Sequence, residues 1–292
     1  MRRLAAVIGS PVAHSLSPVI HQAAFAAAGV DWSYVPFEVA PGSGAAAIEA
    51  MRTLGIAGLS VTMPHKADVF AAVDRVDAAA RALRSVNTVA WDGDELVGSS
   101  TDGAGFVASL AEHGVDVADA TVAVLGAGGA ARSLVDALDR AGVAGILIVN
   151  RSADRAAEAA ALSGRARVAT ADDVPAADIV VNATSVGMGV PARPAGDPDG
   201  DPDGDPDGDD VSDMPADPRQ LRPEQIAVDL VYHPLQTRWL AAAAARGVRT
   251  IDGLGMLIHQ AALQQLAWLG SLPDVAVMRT AAENALAARA AG

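Results

Sequence analysis

The sequence of 292 residues contains no cysteine, and only one of its 21 basic residues, Lys66, is a lysine. The lack of cysteine excludes disulfides, thiolate-bound zinc and a cysteine nucleophile. Aromatic residues make up only 3% of the chain, so alanine and aliphatic side chains must form the core. No segment approaches the roughly 20 apolar residues of a membrane-spanning helix. We therefore expect a cytoplasmic protein without a membrane partner.

A positively charged surface is also lacking. The formal net charge is −14, and ten aspartates between residues 197 and 217 account for −10 of it. The rest of the chain is close to neutral, which argues against a nucleic acid partner. The Asp-Pro-Asp-Gly repeat is typical of a flexible insertion, over about residues 190–219. A calcium loop starting at Asp199 is the alternative, but no helix is predicted before it, and we predict no metal site.

Lys66 ends the segment Ser60-Val61-Thr62-Met63-Pro64-His65-Lys66, which continues from a strand predicted over residues 58–62. Arginine serves equally well on a surface, but only lysine gives up its proton at ordinary pH. Ligands of open α/β sheets bind at the carboxyl ends of strands. Composition alone leaves two interpretations, a proton-transferring lysine in a site or a lysine at a solvated helix start.

A strand predicted over residues 121–125 is followed by Gly126-Ala127-Gly128-Gly129-Ala130-Ala131 and then by a predicted helix. This is the G-x-G-x-x-A pattern in its strand–turn–helix setting, which is typical of dinucleotide-binding proteins. The first glycine permits the tight turn, and the second lets the backbone approach a pyrophosphate at the helix N-terminus.

The next predicted strand, over residues 145–149, ends at Asn150-Arg151, with Arg155 one helical turn further on. An NAD site usually has Asp or Glu at this position to hold the ribose 2′-hydroxyl, whereas guanidinium groups favour the 2′-phosphate of NADP. The alternative is that both arginines are ordinary surface residues at a helix start.

Several polar residues have both a structural and a functional explanation. Ser17 precedes a proline and suits a helix N-cap, whereas Ser15 has no such explanation. Residues 86–91 and 95–99 predict a β-hairpin, after which Asp102 opens a helix whose dipole would favour a carboxylate. Gln260 and Gln264 are spaced to share one helix face, towards either a ligand or water.

Eight motifs together resemble the shikimate dehydrogenase family, in the family's order and at close to its spacing, over almost the whole chain. They are Gly9–Pro18, Ser60–Lys66, Val86–Thr88, Thr101–Gly103, Gly126–Ala130, Asn150–Arg151, Asn182–Ser185 and Gly253–Gln260. Two features depart from the family's pattern: Ser100, where Asn is common, and the Asp-rich insertion.

The resemblance implies an α/β fold of two domains. The N-terminal α/β substrate-binding and catalytic domain would cover residues 1–102, completed by C-terminal helices in residues 253–292. A Rossmann-type NADP-binding domain would cover residues 103–252 and carry the insertion.

The resemblance also implies roles for individual residues. Lys66 and Asp102 would be the catalytic pair. The implied contacts to shikimate are Ser15, Ser17, Thr62, Lys66, Asn87, Asp102, Tyr232 and Gln260. The implied cofactor contacts are Gly126, Ala127, Gly128, Gly129, Ala130, Asn150, Arg151, Arg155, Thr184, Val231, Gly253 and Met256.

The implied reaction is the reversible, NADPH-dependent reduction of 3-dehydroshikimate to shikimate in aromatic amino acid (chorismate) biosynthesis, by a monomer or homodimer. One alternative is a quinate/shikimate or aminoshikimate dehydrogenase, against which Ser17 and Arg151 argue. The other is a non-catalytic NADPH-binding relative, which would be expected to lose Lys66 or Asp102.

Overall fold

The structure is a computed structural model that describes residues 2–189 and 214–290, so the alternative of a calcium loop at Asp199 lies outside the described residues. The predicted α/β fold is confirmed. The chain divides into two compact units, Met1–His113 with Gly255–Gly292, and Gly114–Leu254. Among the described residues, no helix combines the length and the apolar character that crossing a membrane requires.

The first division between the units lies after His113 rather than after residue 102. The helix Asp102–Glu112 belongs to the first unit because it packs against the C-terminal helices. A Cβ atom on Gly105 would lie 2.6 Å from the backbone nitrogen of Gln260, and Glu112 pairs with His259 and Arg279.

The first unit contains a six-stranded sheet in the order β2-β1-β3-β5-β6-β4. Its strands are β1 (Arg3–Gly9), β2 (Trp32–Glu38), β3 (Gly58–Val61), β4 (Arg75–Val76), β5 (Thr88–Asp92) and β6 (Glu95–Ser99). Its helices are α1 (Ser17–Ala27), α2 (Gly44–Leu54), α3 (Lys66–Ala72), α4 (Ala78–Leu83) and α5 (Asp102–Glu112), followed after the second unit by α9 (Leu254–Leu269) and α10 (Val275–Ala290).

Successive residues of a strand point to opposite faces of a sheet, and both faces of this sheet are covered by helices. Ala6 and Ile8 of β1 belong to a core cluster that includes Ile48 of α2. Ala5 and Val7 belong to a second cluster that includes Phe25 of α1.

The strand directions bring three chain segments to one edge of the sheet. β3 runs parallel to β1, whereas β5 runs antiparallel to both β3 and β6, which confirms the predicted hairpin. The carboxyl ends of β3 and β6 therefore lie at the same edge as the amino end of β5. These ends lead to Lys66, Asp102 and Asn87, respectively.

The second unit contains a sheet of six parallel strands in the order β12-β11-β10-β7-β8-β9. Its strands are β7 (Thr121–Leu125), β8 (Gly145–Val149), β9 (Ala166–Ala169), β10 (Ile179–Asn182), β11 (Ile226–Asp229) and β12 (Arg249–Ile251). Its helices are α6 (Gly129–Arg140), α7 (Ala153–Ala160) and α8 (Arg238–Ala245), with 3₁₀ turns at Ala171–Ala176 and Pro218–Gln220.

This strand order is that of the dinucleotide-binding Rossmann fold, in which ligands bind where the order reverses. The reversal lies between β7 and β10, so the loops after Leu125 and Asn182 lie at the switch point. The sequence pattern did not predict strand β9, since only one of its four residues is buried and the strand follows a short turn.

Candidate active site

The first unit brings together the lysine and the aspartate that the family resemblance implies as a catalytic pair. Lys66 begins α3 and Asp102 begins α5, and 2.6 Å separates Lys66 Nζ from Asp102 Oδ2. The two side chains are only 26% and 14% exposed. A partly shielded ammonium of this kind is suited to donate a hydrogen bond or a proton to an oxygen that gains negative charge.

Asn87 holds Asp102 in place. Its Nδ2 donates to Asp102 Oδ1 at 2.7 Å and to Thr101 Oγ1 at 3.0 Å. Its Oδ1 accepts from Thr101 N at 2.9 Å and from Thr88 Oγ1 at 2.8 Å. Both amide hydrogens of Asn87 are thus donated within the protein, and the two oxygens of Asp102 accept from different partners, Asn87 and Lys66.

Thr101 is a site residue that the sequence analysis did not single out. Besides its contacts with Asn87, its hydroxyl donates to the carbonyl oxygen of Gln260 at 3.1 Å. It thereby joins the start of α5 to α9. The only signal in the sequence was its position directly before Asp102, which does not distinguish it from a simple helix start.

Replacing Gly105 with alanine is expected to lower the free energy of unfolding by about 1–3 kcal/mol, because overpacking forces rigid backbones apart. The added Cβ would lie 2.6 Å from Gln260 N and 2.8 Å from Gln260 Cα. Urea denaturation measures the change. Ala104→Ser, at an exposed position of the same helix, is the control, and equal stability of both variants would contradict the prediction.

Ser15 lies on the loop that follows β1, Ser17 begins α1 at the end of that loop, and Thr62 lies on the loop that follows β3. The two loops are joined by a hydrogen bond from Ser10 N to Met63 O at 3.0 Å. A Cβ on Gly9 would meet Thr62 Cγ2 at 2.4 Å, so the close approach of the loops requires glycine.

The interpretation of Ser17 as an N-cap is wrong. α1 begins at Ser17 itself, preceded by Leu16, and no side chain caps the helix by the usual bond. Instead, Ser15 Oγ accepts a hydrogen bond from Ser17 N at 3.2 Å. Ser15 therefore satisfies a backbone group at the helix start, and the hydroxyl of Ser17 is not needed there.

Gln260 and Gln264 are both buried, so the interpretation that they face water is wrong for this helix. Gln260 Nε2 donates to Leu257 O at 2.7 Å. Gln264 Nε2 donates to the carbonyl oxygen of Asn87 at 3.2 Å, and its Oε1 accepts from Ser60 Oγ at 2.7 Å. Met256, implied as a cofactor contact, lies in the first turn of the same helix.

His21 lies fully buried beside Gln264, with 3.1 Å between its Nε2 and Gln264 Oε1. Its ring also stacks on Tyr34, with 4.3 Å between the ring centroids. Burial lowers the pKa of His21 to about 3, and the hydrogen bond to Gln264 opposes that shift.

The free energy of unfolding should therefore fall as the pH drops below about 6.5, because His21 then binds a proton in the unfolded chain but not in the folded protein. One such group lowers the free energy of unfolding by about 2 kcal/mol at pH 5. We expect His21→Phe to remove this component, measured as the difference in the free energy of unfolding between pH 7 and pH 5. His14→Gln, at an exposed position, is the control. An unchanged pH difference in His21→Phe would contradict the assignment.

In the second unit, the glycines of the predicted dinucleotide turn leave room for a ligand. Gly126 has a φ of +111°, and a Cβ there would meet the carbonyl oxygen of Ala183 at 3.1 Å. At Gly128 and Gly129 an added Cβ would meet nothing within 4 Å. α6 begins at Gly129, and the N–H groups in the first turn of a helix have no partner within that helix. Ala127 and Ala130 are the chain neighbours of Gly128 and Gly129. This arrangement fits a pyrophosphate.

Arg151 and Arg155 lie at the end of β8 and the start of α7, and both are exposed. Within the described parts of the chain, neither forms an ion pair, although other arginines of this unit pair with Asp136, Asp139, Asp173 and Asp217. Asn150 Nδ2 donates to Ser152 O at 2.9 Å and so shapes the turn that carries Arg151. Two guanidinium groups without a protein anion fit a phosphate.

The loop after β10 is held by a network around Asn182 and Asp229, two buried residues that the site prediction did not include. Asn182 Oδ1 accepts from Thr184 N at 3.0 Å and from Thr184 Oγ1 at 2.7 Å, and Asn182 Nδ2 donates to Asp229 Oδ1 at 2.9 Å. Asp229 also accepts from Val231 N and Thr237 Oγ1. Burial raises the pKa of the Asp229 carboxyl, and these hydrogen bonds oppose the shift.

Two further predicted cofactor residues and one predicted substrate residue follow the last two strands: Val231 and Tyr232 come after β11, and Gly253 comes after β12. Gly253 N donates to Val231 O at 3.2 Å, and a Cβ on Gly253 would lie 2.3 Å from Leu230 O, so only glycine fits there. Tyr232, implied as a substrate contact, lies next to Val231 in the second unit.

Three family models match this chain. They are the shikimate dehydrogenase substrate binding domain over residues 7–89, shikimate/quinate 5-dehydrogenase over residues 109–189, and the shikimate 5′-dehydrogenase C-terminal domain over residues 253–283. A shikimate dehydrogenase (NADP(+)) from Moorella thermoacetica is 40% identical over 99% of this chain and 95% of its own length. The chain belongs to the shikimate dehydrogenase family. The predicted resemblance is therefore confirmed.

Solved structures of this family have the same fold. Shikimate 5-dehydrogenase from Thermus thermophilus, in complex with NADP(H) and shikimate, has a TM-score of 0.84 and 34% identity, with 97% of this chain and 99% of that chain covered. Quinate dehydrogenase from Corynebacterium glutamicum, in complex with NAD, has a TM-score of 0.82 and 30% identity, with 96% and 98% covered. Solved structures with this fold thus hold either NADP(H) or NAD.

Proposed function

We propose that this chain is an NADP-dependent shikimate dehydrogenase, which reversibly reduces 3-dehydroshikimate to shikimate in aromatic amino acid biosynthesis. The observation that carries the proposal is the shielded Lys66–Asp102 pair, 2.6 Å apart and held by Asn87, in a member of this family. A non-catalytic relative would be expected to lose Lys66 or Asp102, and this chain keeps both.

In the reducing direction, the carbonyl oxygen of the substrate gains negative charge, and Lys66 donates a hydrogen bond or proton to it. NADPH supplies the hydride when it is bound. Asp102 accepts a hydrogen bond from Lys66 Nζ at 2.6 Å and so directs the Lys66 side chain. Asn87 keeps Asp102 in that orientation. We assign Ser15, Ser17, Thr62, Gln260 and Tyr232 to the remaining substrate contacts.

The cofactor side is assigned to the second unit. Gly126–Ala130 would hold the pyrophosphate, and Arg151, Arg155 and Asn150 the 2′-phosphate and ribose. Thr184, Val231 and Gly253, with Met256 of α9, would contact the rest of the cofactor. The open space at Gly128 and Gly129 and the two unpaired guanidinium groups support this assignment within the described residues. A cytoplasmic location and a monomeric or homodimeric state remain predictions.

One spectrophotometric assay tests the proposal. The purified chain is mixed with shikimate or quinate and with NADP or NAD, and the reduced cofactor is followed at its absorbance maximum. We expect the highest kcat/KM with shikimate and NADP. A higher value with quinate would indicate a quinate dehydrogenase, a higher value with shikimate and NAD would contradict the NADP preference, and no reduction of either cofactor would contradict catalysis.

A further inference from the structure

A buried polar cluster of the first unit contacts Asn87, the residue that holds Asp102. It consists of His21, Tyr34, Ser60 and Gln264, each at most 5% exposed. Tyr34 Oη donates to Ser60 Oγ at 2.7 Å, and Ser60 Oγ donates to Gln264 Oε1 at 2.7 Å. Burying four polar side chains lowers the stability of a core unless each has hydrogen-bond partners, so packing alone does not explain this cluster.

The orientation of Gln264 follows from a backbone group. The carbonyl oxygen of Asn87 can only accept, so Gln264 must turn Nε2 towards it, at 3.2 Å. Oε1 then faces Ser60 Oγ and, at 3.1 Å, His21 Nε2, both of which must donate. The amide therefore has one orientation that satisfies its neighbours. In the reversed orientation, Gln264 Oε1 would face the carbonyl oxygen of Asn87, and both of these atoms can only accept.

Asn87 connects this cluster to the reacting groups. Its carbonyl oxygen also accepts from Val61 N at 2.8 Å, and its side chain holds Asp102 Oδ1 at 2.7 Å. Asp102 Oδ2 in turn lies 2.6 Å from Lys66 Nζ. Gln264 is thus bonded to the backbone of Asn87, and the side chain of Asn87 is bonded to Asp102, which holds Lys66.

From these hydrogen bonds we infer that Gln264 is a positioning residue for catalysis: it fixes Asn87, whose amide orients the Asp102 carboxylate and through it the Lys66 ammonium. The inference rests on the proposed function. It assigns to α9 a part in the reaction that is separate from the proposed substrate contact of Gln260.

The chain offers a matched control on the same helix. Gln265 is also fully buried, and its Nε2 bonds to His21 Nδ1 at 3.1 Å and to His21 O at 3.2 Å. No hydrogen bond joins its side chain to Asn87 among the described residues. Gln264→Met and Gln265→Met therefore remove the same chemical group from the same core, and only the first removes a contact with Asn87.

The test compares kcat and KM of wild type, Gln264→Met and Gln265→Met with shikimate and NADP, well below the lowest melting temperature. We expect both variants to melt at lower temperature than the wild type. Gln264→Met should lose about 3- to 10-fold in kcat, the range set by the net free energy of one hydrogen bond, with KM for NADP unchanged. Gln265→Met should keep the wild-type kcat.

A double-mutant comparison locates the effect. In an Asn87→Ala background the amide that Gln264 positions is gone, so adding Gln264→Met should cost no further kcat. Equal kcat in Gln264→Met and wild type, an equal loss in Gln265→Met, or additive losses with Asn87→Ala would overturn the inference.

A second variant keeps the inference testable if Gln264→Met does not fold. Ser60→Ala removes one donor to Gln264 and should lower kcat by about 2- to 3-fold, near the lower limit for one hydrogen bond, but not in the Asn87→Ala background. Wild-type kcat in Ser60→Ala would then overturn the inference. A wild-type protein that is inactive with shikimate would instead overturn the proposed function, so the two failures are distinguishable.

Discussion

Replacing Lys66 with methionine is expected to lower kcat for shikimate oxidation by about 10²–10⁴-fold, the usual contribution of a positioned proton-transfer group. Methionine has a similar reach but neither charge nor hydrogen to donate. The protein should stay folded, because the ion pair is partly exposed and Asp102 keeps its hydrogen bond from Asn87. Steady-state kinetics and thermal melting measure both effects, and near-normal turnover would end the assignment of Lys66.

A second substitution separates proton transfer from charge alone. Lys66→Arg keeps a positive charge that can pair with Asp102, but a guanidinium does not release its proton at ordinary pH. We expect this variant to oxidise shikimate almost as slowly as Lys66→Met. Wild-type oxidation by Lys66→Arg would mean that the site needs only a positive charge.

Replacing Arg151 with aspartate is expected to change the cofactor preference. A charge-assisted hydrogen bond is worth about 1.5–3 kcal/mol, equivalent to roughly 10- to 150-fold in the KM for NADP. The new carboxylate can accept a hydrogen bond from the ribose 2′-hydroxyl of NAD, so the lead of NADP over NAD should narrow. The ratio of kcat/KM with the two cofactors measures the change.

Arginines at two positions of the second unit provide the control. Arg151→Gln and Arg167→Gln each remove one positive charge, but Arg167 is held by Asp173 at 2.8 Å, whereas Arg151 has no ion-pair partner in the described residues. We expect only Arg151→Gln to raise the KM for NADP. An equal effect of both substitutions would indicate a general electrostatic influence, and an unchanged cofactor ratio in Arg151→Asp would show that the 2′-phosphate binds elsewhere.

The sequence by itself determined the parts of this protein that depend on consecutive residues. The glycine turn after β7 and the arginines after β8 are local features, since a strand, a turn and a helix start fix where these residues lie. The single lysine, which begins α3 a few residues after β3, could be singled out for the same reason. The order of the motifs then indicated the family.

The tertiary structure alone decided which side chains meet. Asn87 and Asp102 come together because β5 is antiparallel to β3 and β6, and a pattern of hydrophobic residues does not specify strand order. Gln264 contacts Asn87 across 177 positions of sequence. Helix α9 is apolar over most of its surface, so the spacing of Gln260 and Gln264 does not distinguish a buried face from a solvent-exposed one. Contacts of that kind depend on how whole helices and strands pack, and this packing places Lys66 beside Asp102.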